Sequence, residues 1–238
     1  MVKRLLYYLL PLLLFICFIV FHADTIRVLG PIFAKTAIFN YSCSDKIIAL
    51  TIDDGPDPRT TDKILDRLSQ YNASATFFII GERVNDELLK NIVSAGHELG
   101  NHTFKDEAST KPNLESISKS IEDTHKLLSR HQEIKWFRPG KARYNAQILS
   151  IINEYDYSLV LGDVFPYDHI IKSSSILSWY IDRSVRPGSI VVLHDSKEMG
   201  ERTVNTLNRI LPELNKRGYR IVSLSEINKV CENSQPNN

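Results

Sequence analysis

The sequence lacks the features that mark nucleotide-binding and nucleic-acid-binding proteins. It contains no glycine-rich dinucleotide fingerprint and no phosphate-binding loop, so neither kind of nucleotide site is indicated. The formal net charge is only +1, with both signs spread along the chain and no basic cluster, so no nucleic-acid partner is predicted. No low-complexity segment interrupts the chain. Its 43% hydrophobic and 24% charged residues are ordinary for a folded protein.

Cysteine is also scarce, with three in 238 residues. Cys17 lies in an apolar N-terminal run, where it is interpreted as a small apolar residue. Cys43 and Cys231 flank the rest of the chain at its two ends. In an oxidising compartment these two would form a disulfide that closes nearly the whole intervening chain into one loop. Two free thiols are the equally favoured alternative.

The longest apolar run stands at the N-terminus. Lys3 and Arg4 precede an apolar stretch from Leu5 to Phe21, which is at the short end of what crosses a ~30 Å hydrocarbon core. The run is longer than the ~7–15-residue core of a cleaved signal peptide, and no Ala-x-Ala pattern follows it. We therefore favour an uncleaved signal anchor at residues 1–24 over a cleaved signal of a secreted protein. The basic residues would stay cytoplasmic, which places the remaining chain outside the cytoplasmic membrane.

After a predicted juxtamembrane linker at residues 25–44, strand and helix patterns alternate. Apolar β-branched runs predict strands, and apolar residues at helical spacing between caps and glycines predict helices. The predicted strands are Ile47–Ile52, Ala75–Ile80, Glu98–Asn101, Lys135–Arg138, Tyr157–Leu161, Ser189–Leu193 and Tyr219–Ser223. The predicted helices are Thr60–Tyr71, Asp86–Ala95, Asn113–Arg130, Asn145–Tyr155, Ser174–Val185, Arg202–Arg217 and Leu224–Val230.

This alternation predicts one α/β domain with a parallel sheet over residues 45–231, followed by a polar tail at 232–238. Repeated strand–helix units suit a distorted (β/α)7 barrel, and an open doubly wound sheet is the alternative that the pattern leaves open. The predicted architecture is thus a barrel-like domain behind an N-terminal transmembrane helix.

Polar, titratable residues follow five of the predicted strands. Because ligands and catalytic groups gather at the carboxyl ends of parallel strands, these residues form the candidate site. They are Asp53 and Asp54, then His102 to Asp106, Arg138 to Gly140, Asp163 with Asp168, and His194 with Asp195. Adjacent carboxylates such as Asp53 and Asp54 repel each other, and a bound cation would offset that repulsion. Taken alone, a solvated turn explains that pair equally well.

At these positions the sequence resembles the polysaccharide deacetylase family, also called carbohydrate esterase family 4 or the NodB-homology domain. The family's motifs occur in order between Asp45 and Val230, at Thr51–Pro56, His102–Asp106, Phe137–Gly140, Asp168–His169 and Val192–His194. The chain departs from them at three positions. Asp106 stands where the family has a second histidine, Lys141 where it has an aromatic residue, and His169 where it has tryptophan.

The resemblance implies a divalent metal, with Zn²⁺ as the first choice and Co²⁺, Ni²⁺ or Mn²⁺ as alternatives. It assigns Asp54 and His102 as metal ligands and places Asp106 at the position of the third. A carboxylate also ligates zinc, at ~2.0–2.2 Å, so the substitution is compatible with a site. It adds negative charge and a harder donor, which would weaken zinc binding or admit other divalent metals.

The resemblance also assigns the catalytic roles. Asp53 would be the general base, held by Arg138, and His194 the general acid, oriented by Asp168. The backbone N–H of Lys141 would help to stabilise the oxyanion. Tyr144 and Tyr167 would supply sugar stacking in place of the missing tryptophan.

Two hypotheses of different class follow. The first is a membrane-anchored, metal-dependent deacetylase of an N-acetylated glycan outside the cytoplasmic membrane: peptidoglycan, a chitin-like oligomer or another exported polysaccharide. A lipid-linked sugar amide is a nearby alternative substrate. The second is a non-catalytic, glycan-binding envelope protein, which the three motif departures favour. The enzyme is favoured because Asp53, Asp54, His102, Arg138, Asp168 and His194 are all intact. The sequence makes no prediction of oligomeric state.

Overall fold

The structure is a computed structural model that describes residues 22–32, 34–106 and 113–233. Among these residues, no helix is both long enough and apolar enough to cross a membrane. The apolar run from Leu5 to Phe21, on which the predicted transmembrane helix rests, lies outside them.

The described chain alternates strands and helices, as the sequence predicts. The strands are β1 (Ala37–Ile38), β2 (Ile47–Gly55), β3 (Thr76–Ile79), β4 (Glu98–Asn101), β5 (Trp136–Phe137), β6 (Ser158–Val160), β7 (Ile190–His194) and β8 (Arg220–Val222). The helices are α1 (residues 22–32), α2 (Thr61–Ser69), α3 (Asp86–Ser94), α4 (Leu114–Leu128), α5 (Ala146–Asn153), α6 (Ser174–Ser184), α7 (Lys197–Lys216) and α8 (Leu224–Asn233).

The strands form a parallel sheet in the order β1-β6-β5-β4-β3-β2-β7, and β8 pairs with the first residues of β2. An isolated parallel bridge between Val164 and Val191 joins the segment after β6 to β7. The sheet therefore curls until its two sides meet, which is the distorted-barrel arrangement among the predicted alternatives. All carboxyl ends of the strands lie at one edge.

β2 pairs with three strands, β3, β7 and β8, and is buried along its whole length. Alternate side chains point to opposite faces of a strand, and here both faces are covered. Ile48, Leu50 and Ile52 belong to the larger hydrophobic cluster, whereas Ile47 and Ala49 belong to the smaller one. A strand this deeply buried carries its terminal carboxylates into the interior of the domain.

Helix α7 begins at Lys197, five residues before the predicted start at Arg202. The first turn was missed because it has little apolar periodicity and contains Gly200. A Cβ at Gly200 would lie only 2.2 Å from Thr60 Oγ1 and 2.8 Å from Asp195 Oδ1. Only glycine allows this turn to pack so closely on the loop after β2.

Two features lie outside the strand–helix repeat. Cys43 and Cys231 form a disulfide with a Cα–Cα distance of 4.9 Å, which selects one of the two alternatives left open by the sequence. The segment predicted as a linker contains the short strand β1 and most of helix α1. No helix is predicted there from the sequence, yet α1 packs on the domain with Ala23 buried in the main core.

Candidate active site

A cavity of about 460 Å³ opens at the carboxyl edge of the sheet. The predicted site residues that line it are Asp53, Asp54, His102, Asp106, Arg138, Lys141, Tyr167, Asp168 and His194. Tyr144 does not line this cavity, because its ring packs against the hydrophobic core instead. The structure thus gathers residues from five separate strand ends and the loops after them into one site, and the predicted stacking role of Tyr144 has no support.

Asp53 is buried at the end of β2 and is held by a guanidinium group. Arg138 Nη1 donates to Asp53 Oδ1 at 2.5 Å and to Thr51 Oγ1 at 2.8 Å. A buried carboxylate is stable as an anion only with such a partner close by. The pairing of β2 with β7 places Asp53 opposite His194, so the predicted base and acid lie on neighbouring strands.

Arg138 is itself fixed from several directions. Its Nε donates to the carbonyl oxygen of Val160 at 3.1 Å, and its guanidinium carbon lies 4.2 Å from the centre of the Phe78 ring. Only 3% of the residue is exposed. The guanidinium therefore has little freedom, and it orients Asp53 as the sequence predicted.

Asp54 differs from Asp53 in its backbone conformation and in the partners of its side chain. Its φ is +68°, in the left-handed region, and its carbonyl oxygen accepts from Arg83 Nη1 at 2.7 Å. Its Oδ1 lies 3.4 Å from His102 Nε2, and its Oδ2 accepts from Ser196 Oγ at 3.4 Å. Burial alone would raise the pKa of Asp54, but His102 and the nearby cations outweigh it and lower that pKa to about 2. The carboxylate is therefore an anion at neutral pH.

The ring of His102 is oriented by a backbone carbonyl. Its Nδ1 donates to the carbonyl oxygen of Arg138 at 2.6 Å, which leaves Nε2 facing Asp54 and, at 4.0 Å, Asp53. Burial lowers the pKa of His102, but the two carboxylates outweigh it and raise the pKa above its ordinary value. A backbone partner on one ring nitrogen is the usual arrangement for a histidine that ligates a metal through the other.

The spacing of Asp54 and His102 fits a divalent metal. Two ligand atoms, each ~2.0–2.1 Å from a tetrahedral zinc ion, lie about 3.4 Å apart. The observed separation of Asp54 Oδ1 and His102 Nε2 is 3.4 Å, which is long for a charge-assisted hydrogen bond. One carboxylate oxygen and one imidazole nitrogen are also a donor set that zinc and neighbouring transition metals accept.

Asp106 is not drawn into the same ligand group. It lines the cavity, yet it is exposed, and the described residues contain no group of three His, Cys, Asp or Glu side chains that could hold a metal. The turn before it is fixed by Thr103, which has φ +69° and donates from Oγ1 to the Lys105 carbonyl. Asp106 follows this turn at the rim of the cavity, and its role as third ligand stays a prediction.

Half-buried His194 and buried Asp168 form a second pair in the cavity lining. Asp168 Oδ1 accepts from His194 Nδ1 at 2.8 Å, and Asp168 Oδ2 accepts from the backbone N–H of His194 at 3.0 Å. Both carboxylate oxygens are thus used to hold one residue. Burial lowers the pKa of His194, but Asp168 outweighs it and raises that pKa to about 9. The imidazolium is favoured at neutral pH, with Nε2 as the nitrogen that Asp168 leaves free to act.

Two carboxylates at the strand ends are structural. Asp195 accepts from the hydroxyls of Thr60 and Thr61, which ties the loop after β2 to the end of β7. Asp163 is bound by Arg27 of helix α1. Neither residue lines the cavity. A carboxylate at the carboxyl end of a strand therefore does not always belong to the site.

His22 lines the cavity and was missed as a site residue. It directly follows the apolar run that ends at Phe21. The Tyr167 hydroxyl lies 2.9 Å from His22 Nε2 and 3.1 Å from its Nδ1. Since these two residues are far apart in sequence, no local pattern connects them.

A family model for polysaccharide deacetylase matches residues 40–160 of the chain. Among curated proteins, a peptidoglycan-N-acetylglucosamine deacetylase of Bacillus cereus is 38% identical over 189 residues, which span 77% of this chain and 89% of that protein. A second relative, the peptidoglycan-N-acetylmuramic acid deacetylase of Bacillus subtilis, is 29% identical over 79% of this chain, which spans only 40% of that longer protein.

Among solved structures, an acetyl xylan esterase of family 4 from Clostridium thermocellum, in complex with a cobalt ion, superposes with a TM-score of 0.70. It is 32% identical to this chain, with 78% of this chain and 91% of that chain covered.

Proposed function

Because the chain belongs to the polysaccharide deacetylase family, we propose that it removes N-acetyl groups from a glycan by metal-assisted hydrolysis. One observation carries the proposal: Asp53 and His194 lie opposite each other on adjacent strands, each is held by a buried partner, Arg138 or Asp168, and all four residues line one cavity. Hydrolysis of an amide requires a base for the attacking water and an acid for the departing amine. The two pairs supply these opposite properties side by side.

Asp54 and His102 would hold the divalent metal, and Asp106 is kept as the candidate third ligand because it lines the same cavity. When bound, a cation of this kind polarises a carbonyl group and lowers the pKa of water, and Zn²⁺, Co²⁺, Ni²⁺ and Mn²⁺ all suit this role. The specific metal is a proposal that rests on the nitrogen and oxygen donors.

Asp53 would accept the proton of the attacking water. Its Oδ1 is bound by Arg138, so Oδ2 is the oxygen available for the proton. The water oxygen then forms a bond to the acetyl carbon, and the backbone N–H of Lys141 is the proposed donor to the resulting oxyanion. Arg138 keeps the base from rotating during this transfer.

His194 would complete the reaction at the leaving group. With its Nδ1 bound to Asp168, its Nε2 carries the proton that passes to the sugar nitrogen as the carbon–nitrogen bond breaks. The products are acetate and a free amino sugar. A pKa of about 9 suits this role, because the histidine carries that proton at neutral pH.

The proposed substrate is an N-acetylated glycan of the cell envelope, with peptidoglycan first and chitin-like or other exported polysaccharides as alternatives. The names of the Bacillus relatives support peptidoglycan. The proposed location is the outer side of the cytoplasmic membrane, with the apolar run as a single-pass anchor and a secreted protein as the alternative. The exposed apolar side chains of Val28, Leu29 and Ile32 on the helix that follows the run support a position close to a membrane. A lipid-linked sugar is compatible with the same location.

Glycan binding without catalysis is the second candidate. It is favoured by the exposed position of Asp106, outside a three-ligand group with Asp54 and His102. A protein that binds glycans without hydrolysing them has no need for Asp53 or His194 in their present hydrogen-bonded positions.

A single assay separates the two candidates. The full-length chain is purified in detergent, because α1 packs on the domain and a truncation after residue 24 would remove part of it. Acetate release is measured from N-acetylglucosamine oligomers and from peptidoglycan, with each divalent metal and after chelation. We expect metal-dependent release that falls by about 10²–10⁴-fold in Asp53→Asn.

Asp45→Asn is the matched control, since Asp45 is exposed and lies just before the same strand. It should keep the activity of the unmodified chain. If metal-loaded, folded protein releases no acetate from either glycan, the deacetylase proposal fails and glycan binding without catalysis becomes the favoured function.

A further inference from the structure

Helix α1 is fixed to the domain by a buried ion pair. Arg27 Nη2 lies 2.7 Å from Asp163 Oδ2, and the Asp163 side chain has no exposed surface. The same guanidinium donates to the carbonyl of Ser184 and to Ser189 Oγ, at 3.0 and 2.9 Å. These bonds reach the end of α6 and the residue before β7, so the helix has one defined position on the domain.

This position brings His22 to the wall of the catalytic cavity. His22 and Tyr167 both line the cavity, both are half-buried, and their rings are 5.4 Å apart with a tilt of 51°. Tyr167 directly precedes Asp168, the residue that holds His194. His22 of α1 is therefore in contact with the loop that positions the proposed general acid.

The contact belongs to a row of rings that leads to the centre of the site. The ring of His169 lies 6.2 Å from that of Tyr167 and 6.4 Å from that of His194. The order His22, Tyr167, His169, His194 thus runs from helix α1 to the proposed general acid. We call the first three of these residues the ring wall.

The chemistry of the ring wall fits a sugar. A pyranose ring has an apolar face of C–H groups and a rim of hydroxyls, and it binds where flat apolar rings stand beside polar groups. The ring wall offers both kinds of group. Burial lowers the pKa of His22, so this ring is neutral at physiological pH and suits an uncharged ligand.

We propose that helix α1 is part of the substrate site, and that His22 and Tyr167 form a binding position for a sugar ring of the glycan. The proposal rests on the proposed function and deepens it, because it names the residues that select the substrate. It also implies that the segment after the apolar run takes part in substrate binding.

The test compares variants of the full-length chain in detergent. His22→Ala removes the outer ring, and His22→Phe restores a flat ring without its nitrogens. Val28→Ala is the matched control, since Val28 lies on the same helix with 62% of its surface exposed. Binding of tetra-N-acetylchitotetraose is measured by calorimetry, and KM and kcat are measured for acetate release from the same oligomer.

We expect His22→Ala to raise the Kd and KM about three- to tenfold and to leave kcat within about twofold, as loss of one ring contact predicts. His22→Phe should restore most of the affinity, and Val28→Ala should bind as the unmodified chain does. Thermal unfolding of each variant identifies any general loss of structure, and Tyr167→Phe then serves as a second test, because it removes only the hydroxyl that contacts His22.

The outcomes separate this inference from the proposed function. Unchanged Kd and KM in folded His22→Ala, with normal acetate release, overturn the sugar-binding position and leave the deacetylase intact. If the unmodified chain releases no acetate and His22→Ala still binds the oligomer more weakly than it does, the sugar-binding position is supported and the proposed deacetylase activity is contradicted. An unmodified chain that does not bind the oligomer at all overturns the position for this class of glycan.

Discussion

The two sides of the catalytic cavity differ in how strongly their residues are held. On the inner side, formed by Asp53, Asp54, His102, Arg138, Asp168 and His194, the side chains lie at strand ends and bond to one another or to the backbone. On the outer side, formed by Asp106, Lys141 and His169, the side chains are exposed on loops. The outer side contains all three departures from the family motifs, whereas the inner side contains none.

The difference has a physical reason. Replacing one partner of a buried charged pair leaves the other unpaired in the interior, which costs ~3–5 kcal/mol. An exposed side chain on a loop is solvated whether or not it has a partner, so its replacement costs little. The inner side therefore tolerates few changes, whereas replacements on the exposed outer side cost little folding free energy.

The strongest test of the inner side is His194→Gln. Glutamine cannot donate an acidic proton to the amine, so we expect kcat for acetate release to fall by about 10²–10⁴-fold with little change in KM. His131→Gln is the matched control, because His131 contacts Asp86 and is not part of the cavity lining. A kcat within threefold of that of the unmodified chain would show that His194 is not the general acid.

Asp168→Asn should have a smaller effect with a distinct pH signature. Asp168 raises the pKa of His194 to about 9, so without this carboxylate the pKa falls and the histidine loses its proton at lower pH. We expect kcat at neutral pH to fall about 10–100-fold, and the alkaline limb of the pH profile to move to lower pH. An unmoved limb would contradict the pairing.

The same substitution should change the pH dependence of stability. Because the pKa of His194 in the folded protein lies above its ordinary value of 6.5, its stabilisation is complete below about pH 6.5 and is lost as pH rises through about 9. Asp168→Asn should flatten the loss of unfolding free energy over this window, as measured by urea denaturation. Asp182→Asn, which alters an ion pair with Arg217 outside the cavity, is the control and should keep the slope.

Changes at Asp106 test the outer side. We expect Asp106→Ala to weaken zinc binding by less than about tenfold, whereas Asp106→His should strengthen it by about tenfold, because imidazole is the softer ligand. Zinc affinity is measured by competition with a chelator, and acetate release at saturating metal follows. A loss in Asp106→Ala as large as that in His102→Ala would place Asp106 with the inner side.

The smallest effect on catalysis is expected at the opposite end of the domain. The disulfide between Cys43 and Cys231 spans 188 residues, and chain-entropy arguments allow at most about 4–5 kcal/mol for so long a loop. The Cys43→Ser/Cys231→Ser double variant should lose about 2–4 kcal/mol of unfolding free energy in urea, with kcat unchanged. A lower kcat in the folded variant would show that the disulfide also shapes the cavity.

Much of the inner side could be predicted from sequence because its residues follow strands whose patterns are local. The run from Ile47 to Ile52 predicts a buried strand, and Asp53 and Asp54 come directly after it. Parallel strands end at one edge, so His102, Arg138 and His194 were predicted to meet these carboxylates. Tyr144 also follows β5, and this position predicts that it reaches the site. Position along the chain does not show that its ring packs against the core.

The sequence by itself determined which elements form, in which order, and which polar residues stand at their ends, because these depend on periodicity and capping over a few residues. Tertiary structure alone decided which of these residues contact one another. The register of β2 against β7 places Asp53 opposite His194, the positive φ of Asp54 directs its carboxylate to His102, and helix α1 brings His22 into the cavity. Such contacts join residues distant in sequence, and they form only when the sheet has curled and the core has closed.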